Sequence, residues 1–325
     1  MLGELWSNFR NTLYDKEYLP VVHPGCFVVS IGNLTWGGTG KTALTARIGS
    51  FLLSCGYRVA ILSRGYKRTS QGVRIVSDGK QVMERWEMAG EESYWLANKL
   101  PGAVVIVAEN RAEAIPVLQT FQPQILLLDD GFQHRRIARN VDLVLLDASE
   151  NLVSEGIIPF GKLREPLSSL RRAGAVVLTH TLHPHKKTFE WIAHHVTAPI
   201  FQAGYEPVSR ETPWKGKRIA AFCAIGAPHH FFDMLEQDGA ELVLRKRFRD
   251  HHHYSREDLT SLELKAQNAG ARSLVTTEKD AVKIGDFPFQ LPWHVAAVEL
   301  KLKEEDAFFQ FLLDRFLEYA VRSKK

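Results

Sequence analysis

An α/β fold, with a mostly parallel sheet flanked by helices and a second, smaller α/β domain after it, is the architecture this sequence predicts. Three observations predict it. Short apolar runs alternate with amphipathic or loop segments, the first run breaks into a glycine-rich turn that opens a helical pattern, and after a proline-bearing stretch the alternation starts again.

Taken in order, residues 27–31 form a β-branched apolar run, followed by a helical pattern in which Leu44, Ile48, Phe51 and Leu52 share a face. Gly56 offers a stop for that helix, and residues 58–63 read as a second buried strand. Further short strands are expected at 103–108, 125–128, 143–146 and 175–178, with helical or loop segments such as 91–100 and 111–121 between them. In sheets of this kind ligands sit at the carboxyl ends of the strands. Residues 32–42, 63–66 and 129–134 all fall there, so three loops are expected to converge on one crevice. Pro199, Pro207 and Pro213 with Gly204 mark a boundary near Ala203, giving domains 1–203 and 204–325. The second domain has expected strands at 219–224, 242–244, 273–276 and 294–298, and helices near 255–268 and 304–321.

A chain of 325 residues suits two domains, and 45% hydrophobic with 24% charged residues is ordinary for a globular protein. The net charge of +4 is mildly basic and compatible with anionic substrates or a lipid surface. Cys26, Cys55 and Cys223 are far apart and form no metal-ligand pair, which argues against a structural zinc site or a disulfide framework and implies a reducing cytoplasm. No concentrated basic face with interleaved aromatics points to nucleic acid. No apolar run is long enough to cross a bilayer, and no secretory signal is expected. In the first segment, Leu2, Leu5, Trp6, Phe9 and Leu13 recur at helical spacing opposite Glu4, Ser7, Asn8, Arg10 and Asn11. That stripe fits either a terminal helix docked on the protein's own core or a helix lying in a membrane interface.

The chemistry concentrates in the glycine-rich turn. Gly32, Gly37, Gly38 and Gly40 precede Lys41 and Thr42 at a helix start, the arrangement of a P-loop. Glycines let backbone N–H groups wrap a phosphate, Lys41 would reach the β/γ-phosphates, and Thr42 would offer its hydroxyl to Mg²⁺. The strict pattern has glycine where this chain has Thr35. The apolar strand 125–128 runs into Asp129 and Asp130, the arrangement by which P-loop proteins hold Mg²⁺ or its water shell. Glu91 and Glu92 after Gly90 would complement a helix dipole. The run Asp250-His251-His252-His253-Tyr254 is dense in imidazole, but adjacent histidines point in different directions and no cysteine or spaced carboxylate completes a metal cage.

These residues resemble one family, the tetraacyldisaccharide 4′-kinases of lipid A synthesis. The resemblance runs along nearly the whole chain. It rests on Gly32-Asn33-Leu34-Thr35-Trp36-Gly37-Gly38-Thr39-Gly40-Lys41-Thr42, on Ser63-Arg64-Gly65-Tyr66 and on Asp129-Asp130-Gly131-Phe132-Gln133-His134. Leu163-Arg164-Glu165-Pro166, Asp250-His251 with Tyr254, and Thr277-Glu278-Lys279-Asp280-Ala281-Val282 add to it. It implies a P-loop NTPase-type sheet and transfer of the γ-phosphoryl of ATP, with Mg²⁺, to the 4′-hydroxyl of an acylated glucosamine disaccharide 1-phosphate, giving lipid IVA. The implied setting is the cytoplasmic face of the inner membrane, as a peripheral or monotopic protein with that lipid surface as partner, no nucleic acid and no evident protein partner. It implies that Thr35, Gly37, Gly38, Thr39, Gly40, Lys41 and Thr42 bind the nucleotide, and that Thr42, Asp129 and Asp130 serve the metal. Asp129 and Asp130 also join the catalytic shell, and Arg64, His134 and Arg164 the substrate cleft. The acid after Gly90, Glu91, is implied as base with His251 assisting. The family pattern Gly-Asp-Glu is Gly90-Glu91-Glu92 here, which sets the carboxylate on a longer arm. A partition-type P-loop ATPase is the rival reading; such proteins carry a lysine just before Gly-Gly-x-Gly-Lys-Thr, where this chain has Trp36.

Overall fold

The computed structural model describes residues 2–208 and 212–323. The chain divides into two units, one made of Met1–Gly204 with Leu300–Lys325 and the other of Tyr205–Glu299. The first unit contains α1 (Leu2–Asp15), β1 (Phe27–Asn33), α2 (Lys41–Ser54), β2 (Val59–Ser63), β3 (Arg74–Asp78), α3 (Trp86–Ala89) and α4 (Glu91–Lys99). It continues with β4 (Val104–Val107), α5 (Ile115–Thr120), β5 (Ile125–Asp129), β6 (Val141–Asp147), β7 (Ala175–Thr179), α6 (Lys186–His195) and β8 (Ile200–Pro207). The second unit holds β9 (Arg218–Cys223), α7 (Pro228–Gln237), β10 (Glu241–Arg247), α8 (Arg256–Asn268), β11 (Ser273–Thr277), α9 (Glu278–Ile284) and β12 (Trp293–Ala296). Strand β13 (Val298–Leu302) then rejoins the first sheet, and α10 (Glu305–Arg322) follows it.

The first sheet has nine strands in the order β13-β8-β7-β6-β1-β5-β2-β4-β3. Strand β1 lies parallel between β5 and β6, with Ile31 opposite Asp129 on one side and Leu143 on the other. Strand β2 pairs parallel with β5, so the loops leaving β1, β5 and β2 are neighbours, as expected of a sheet whose ligands sit at its carboxyl ends. Every residue of β1, β2, β5 and β6 is buried, which is why these strands read as continuous apolar runs and not as alternating ones. Val28, Ala60, Leu62, Ile106, Leu126 and Leu128 pack with Ala114, Ile115 and Leu118 around α5. Leu34, Phe132, Val144, Leu146, Val176 and Leu178 form a further cluster with Leu163 and Ile192.

The C-terminal end differs from the expected division. Leu300–Lys325, expected within a domain spanning 204–325, belongs to the first unit. The cause is aromatic: Phe309 stacks on Phe51 of α2 with centroids 3.8 Å apart, Phe316 meets Phe27 edge-on at 5.5 Å, and Phe308 meets Phe201 at 5.1 Å. Arg47 adds an ion pair to Glu305 at 2.6 Å. Helix α10 thus lays its apolar face against the P-loop helix.

The second unit is a four-stranded parallel sheet ordered β10-β9-β11-β12. Along β9, Ile219, Ala221 and Cys223 face Phe231, Phe232 and Leu235 of α7, while Ala220 and Phe222 face Leu259, Leu262 and Ala266 of α8. Two helices on opposite faces explain why β9 is apolar on both sides.

Helix α1 carries its polar residues inward. Ser7 and Asn11 are buried, whereas Trp6 is 67% and Phe9 57% exposed. The side chains of Leu2 and Leu5 lie outside the described residues. At Trp6 and Phe9 the stripe is therefore turned away from the protein, and the helix docks on it through the buried Ser7 and Asn11 instead.

Candidate active site

The glycine-rich turn connects β1 to α2. Gly37 and Gly40 take φ of 123° and 92°, a left-handed region that a Cβ disfavours, and Gly40 is the N-cap of α2. Thr35 and Thr39 are buried, as is Thr42 in the first turn of α2. The turn is stitched to the segment around Leu163: Trp36 N–H donates to the Lys162 carbonyl at 2.8 Å, and Arg164 N–H donates to the Leu34 carbonyl at 2.7 Å. Arg164 thereby comes to lie over the Trp36 ring at 5.5 Å.

Strand β5 delivers the acids. Gly131 N–H donates to the Ile31 carbonyl at 2.9 Å, pinning the Asp-Asp-Gly turn to β1. A Cβ on Gly32 would meet the Phe132 Cβ at 2.4 Å, so glycine is required where the two loops touch. Asp130 takes a φ of 50° and points its carboxylate at Arg164, whose Nη1 lies 2.9 Å from both oxygens, with Lys41 Nζ at 3.6 Å. Burial raises the Asp130 carboxyl, but Lys41, Arg164 and Arg111 outweigh it and hold the group at about 2. Asp129 has the opposite environment. Buried at 1% exposure, with Glu92 and Asp130 as like charges nearby, it is pushed up to about 7 although Thr45 donates a hydrogen bond at 3.0 Å. A buried carboxylate among like charges, on the strand paired with the one that runs into Thr39 and Thr42, fits a bound cation and nucleotide phosphates, and the buried Thr39 hydroxyl has no hydrogen-bond partner among the described residues.

The remaining expected residues divide by unit. Gly65 and Gly90 approach so closely that a Cβ on Gly90 would lie 3.0 Å from the Gly65 carbonyl carbon, which brings the Ser63–Tyr66 turn onto the start of α4. Glu91 is buried there, Arg64 is exposed, and the charge of Glu92 acts on Asp129. His134 follows the Asp-Asp-Gly turn; burial and the charges of Arg111, Arg139, Arg136 and Arg10 lower it to about 4, so it stands neutral at physiological pH. Gln133 and Glu165, beside His134 and Arg164, are tied to α1: Arg10 donates to the Gln133 carbonyl at 3.2 Å and Asn11 to Glu165 at 2.8 Å. His251 lies in the second unit, in the loop after β10, with a φ of 59°. Its neighbour His252 is engaged with Asp258 at 2.8 Å while His251 faces Asp250 at 3.7 Å, so adjacent imidazoles do turn to different partners.

Sequence reasoning missed three residues of this cluster. Arg111 is almost fully buried and donates from Nη1 to the Asp130 carbonyl at 2.9 Å. Its surroundings in sequence, Glu-Asn-Arg-Ala-Glu-Ala, read as an ordinary surface helix and carry no signal. Thr45, the hydrogen-bond donor to Asp129, was detectable as the residue one turn after Lys41 on the same helix. Glu92, read as a dipole complement and as an alternative base but not as a neighbour of the metal acids, is an acid whose charge reaches Asp129.

A mostly parallel sheet with a glycine turn and lysine after one strand, two acids at the end of its neighbour and a set of arginines around them defines a P-loop nucleotide-dependent phosphotransferase. A statistical profile of the tetraacyldisaccharide-1-P 4′-kinase family, LpxK, matches residues 1–317, and the chain belongs to that family. Among relatives, the tetraacyldisaccharide 4′-kinase of Chlorobium phaeovibrioides is 40% identical over 86% of this chain and 83% of its own length. That of Chlorobium phaeobacteroides is 38% identical over 96% of this chain and 93% of its own length. The crystal structure of "apo" form LpxK from Aquifex aeolicus in complex with ATP is 32% identical, with a TM-score of 0.77 over 97% of this chain and 96% of that one.

Proposed function

We propose that this chain transfers the γ-phosphoryl group of ATP to the 4′-hydroxyl of an acylated glucosamine disaccharide 1-phosphate, giving lipid IVA, at the surface of the inner membrane. The observation that carries the reading is the convergence of Lys41, Arg164 and Arg111 on Asp130 beside the buried Asp129, at the foot of the glycine turn. Phosphoryl transfer needs positioned charge more than covalent chemistry, and this cluster supplies it.

In this reading the backbone of Gly37 to Gly40 cradles the phosphates, with Thr35 and Thr39 shaping the turn and Lys41 balancing negative charge. Thr42, Asp129 and Asp130 would hold Mg²⁺, which supplies neutralisation of charge on the phosphate oxygens. Arg164 and Arg64 face the anionic groups of the acceptor and donor, and neutral His134 offers a hydrogen bond to the sugar. Glu91 takes the proton of the 4′-hydroxyl as its oxygen bonds to the γ-phosphorus and the bond to the β–γ bridging oxygen breaks, releasing ADP; His251 is the catalytic residue contributed by the loop after β10.

The lipid setting is supported by α1, whose Trp6 and Phe9 are turned outward while Asn11 is held within. Among the described residues no helix is long and apolar enough to cross a membrane, so a helix lying in the interface is the form of attachment proposed. The test has two arms. With purified protein, ATP consumption should require the acylated disaccharide and vanish in Lys41→Ala; turnover without acceptor, or normal product from Lys41→Ala, refutes the kinase reading. Trp6→Ala with Phe9→Ala should weaken binding to anionic vesicles and raise the apparent acceptor KM while sparing ATP binding. Deleting the whole helix is a poorer test, because it also strips Asn11 from Glu165.

A further inference from the structure

The motif Thr277-Glu278-Lys279-Asp280 contributes no group to the chemistry above, yet it holds the most deeply buried ion pair among the described residues. Asp280 and Lys283 side chains are 0% and 1% exposed, with Lys283 Nζ 2.9 Å from Asp280 Oδ1. The other carboxylate oxygen accepts from the Thr277 hydroxyl at 2.8 Å and from the Ala224 backbone N–H at 3.0 Å. Ala224 is the residue just past β9, and its own carbonyl accepts from the backbone N–H of His251 at 3.0 Å. The loop that carries His251 is thus hung from β9 at two points, the second being the Phe248 N–H on the Cys223 carbonyl at 2.9 Å.

His251 needs such a tether. Its φ of 59° is a conformation that a non-glycine residue leaves unless its surroundings hold it there. A buried ion pair is a poor way to gain stability, since well-packed apolar residues of the same volume commonly serve as well or better. What no apolar pair supplies is an acceptor for the Ala224 N–H. We infer that Asp280, neutralised by Lys283, is a positioning residue for His251: it fixes the Ala224 peptide, whose carbonyl fixes the backbone of His251 and so the direction of its imidazole. The inference rests on the reading of His251 as a catalytic residue. It gives the Thr-Glu-Lys-Asp motif a role in the reaction without contact to either substrate.

Two double variants isolate that one oxygen. Asp280→Leu with Lys283→Met removes both charges and the acceptor; Asp280→Asn with Lys283→Met removes both charges but keeps an acceptor for Ala224. The first should lower kcat about 10²-fold with the KM for ATP unchanged, as a displaced catalytic group does, and the second should retain activity within about threefold. In a His251→Ala background the Leu/Met pair should cost nothing further, because a residue that acts only through His251 has nothing left to position. Equal activities of the two double variants would overturn the inference. Additive losses on top of His251→Ala would overturn it as well, and so would an unfolded Leu/Met variant beside a folded Asn/Met one, since the pair would then be a brace for the fold. Full activity of His251→Ala alone would instead remove the catalytic reading of that histidine.

Discussion

Replacing Asp130 by Asn tests the charge cluster most directly, because the substitution keeps the shape of the side chain and removes only its charge. The carboxyl is held at about 2 against an ordinary 3.8, burial raising it and Lys41, Arg164 and Arg111 lowering it further. At about 1.4 kcal/mol per unit that difference corresponds to about 2.5 kcal/mol of native-state stability. The side chain is 32% exposed, so solvent screening trims the figure to about 1–2 kcal/mol. The sign follows from linkage: a carboxyl lowered on folding contributes fully above its unfolded value and loses its contribution as pH falls toward its folded value. The stability gap between parent and Asp130→Asn should therefore be full at neutral pH, nearly full at pH 4 and roughly halved near pH 3. Urea unfolding followed by tryptophan fluorescence at the three pH values measures it. A gap of the same size at pH 3 as at neutral pH would mean that the cations around Asp130 do not stabilise its charged form, and the electrostatic account would fail.

Two further outcomes are expected. Phe309→Ala should destabilise the first unit by about 3–5 kcal/mol, exposing α2 and β1 to hydrogen exchange while β9 and β11 keep their protection, whereas the exposed Leu317→Ala should stay within about 0.5 kcal/mol; equal effects of the two would refute the packing of α10 on the P-loop helix. Glu91→Gln should cost about 10²–10⁴-fold in kcat and Glu91→Asp far less, as measured by single-turnover phosphorylation; a Gln variant as active as the parent across pH would send the search for the base to Glu92.

Much of the first sheet was legible because its strands are buried on both faces: Ile125 to Asp129 announces itself as apolar residues ending in an acid, and so does the run before Gly32. The edge strand Arg74–Asp78 was not legible, since it is half-exposed and its residues read as loop. Strand β8 was hidden inside the proline-bearing stretch taken as a boundary, because an edge-region strand tolerates Pro207 at its end. The apolar stripe of α10 said that the helix buries a face, but periodicity does not name the surface that receives it. Helix α1 failed in a related way: its stripe has a direction only in three dimensions, and the buried Asn11 reverses the ordinary one. In the site, Lys41, Thr42 and the two acids follow from local pattern, whereas Arg111 reaches the acids only because β4 and β5 both border β2. No local pattern contains that adjacency.

The return of β13 and α10 to the first sheet sets an order of events on the ribosome. The second unit is continuous in the chain and can close as soon as it emerges, but the nucleotide-binding unit begins before it and ends after it. Residues 205–299 at about 5–20 residues per second take roughly 5–20 s to make. Throughout that interval Phe51 lacks the ring that stacks on it, and Phe27 and Phe201 lack theirs. The half that begins first is thus the half that finishes last, and its uncovered aromatic face is the surface a nascent-chain chaperone would meet.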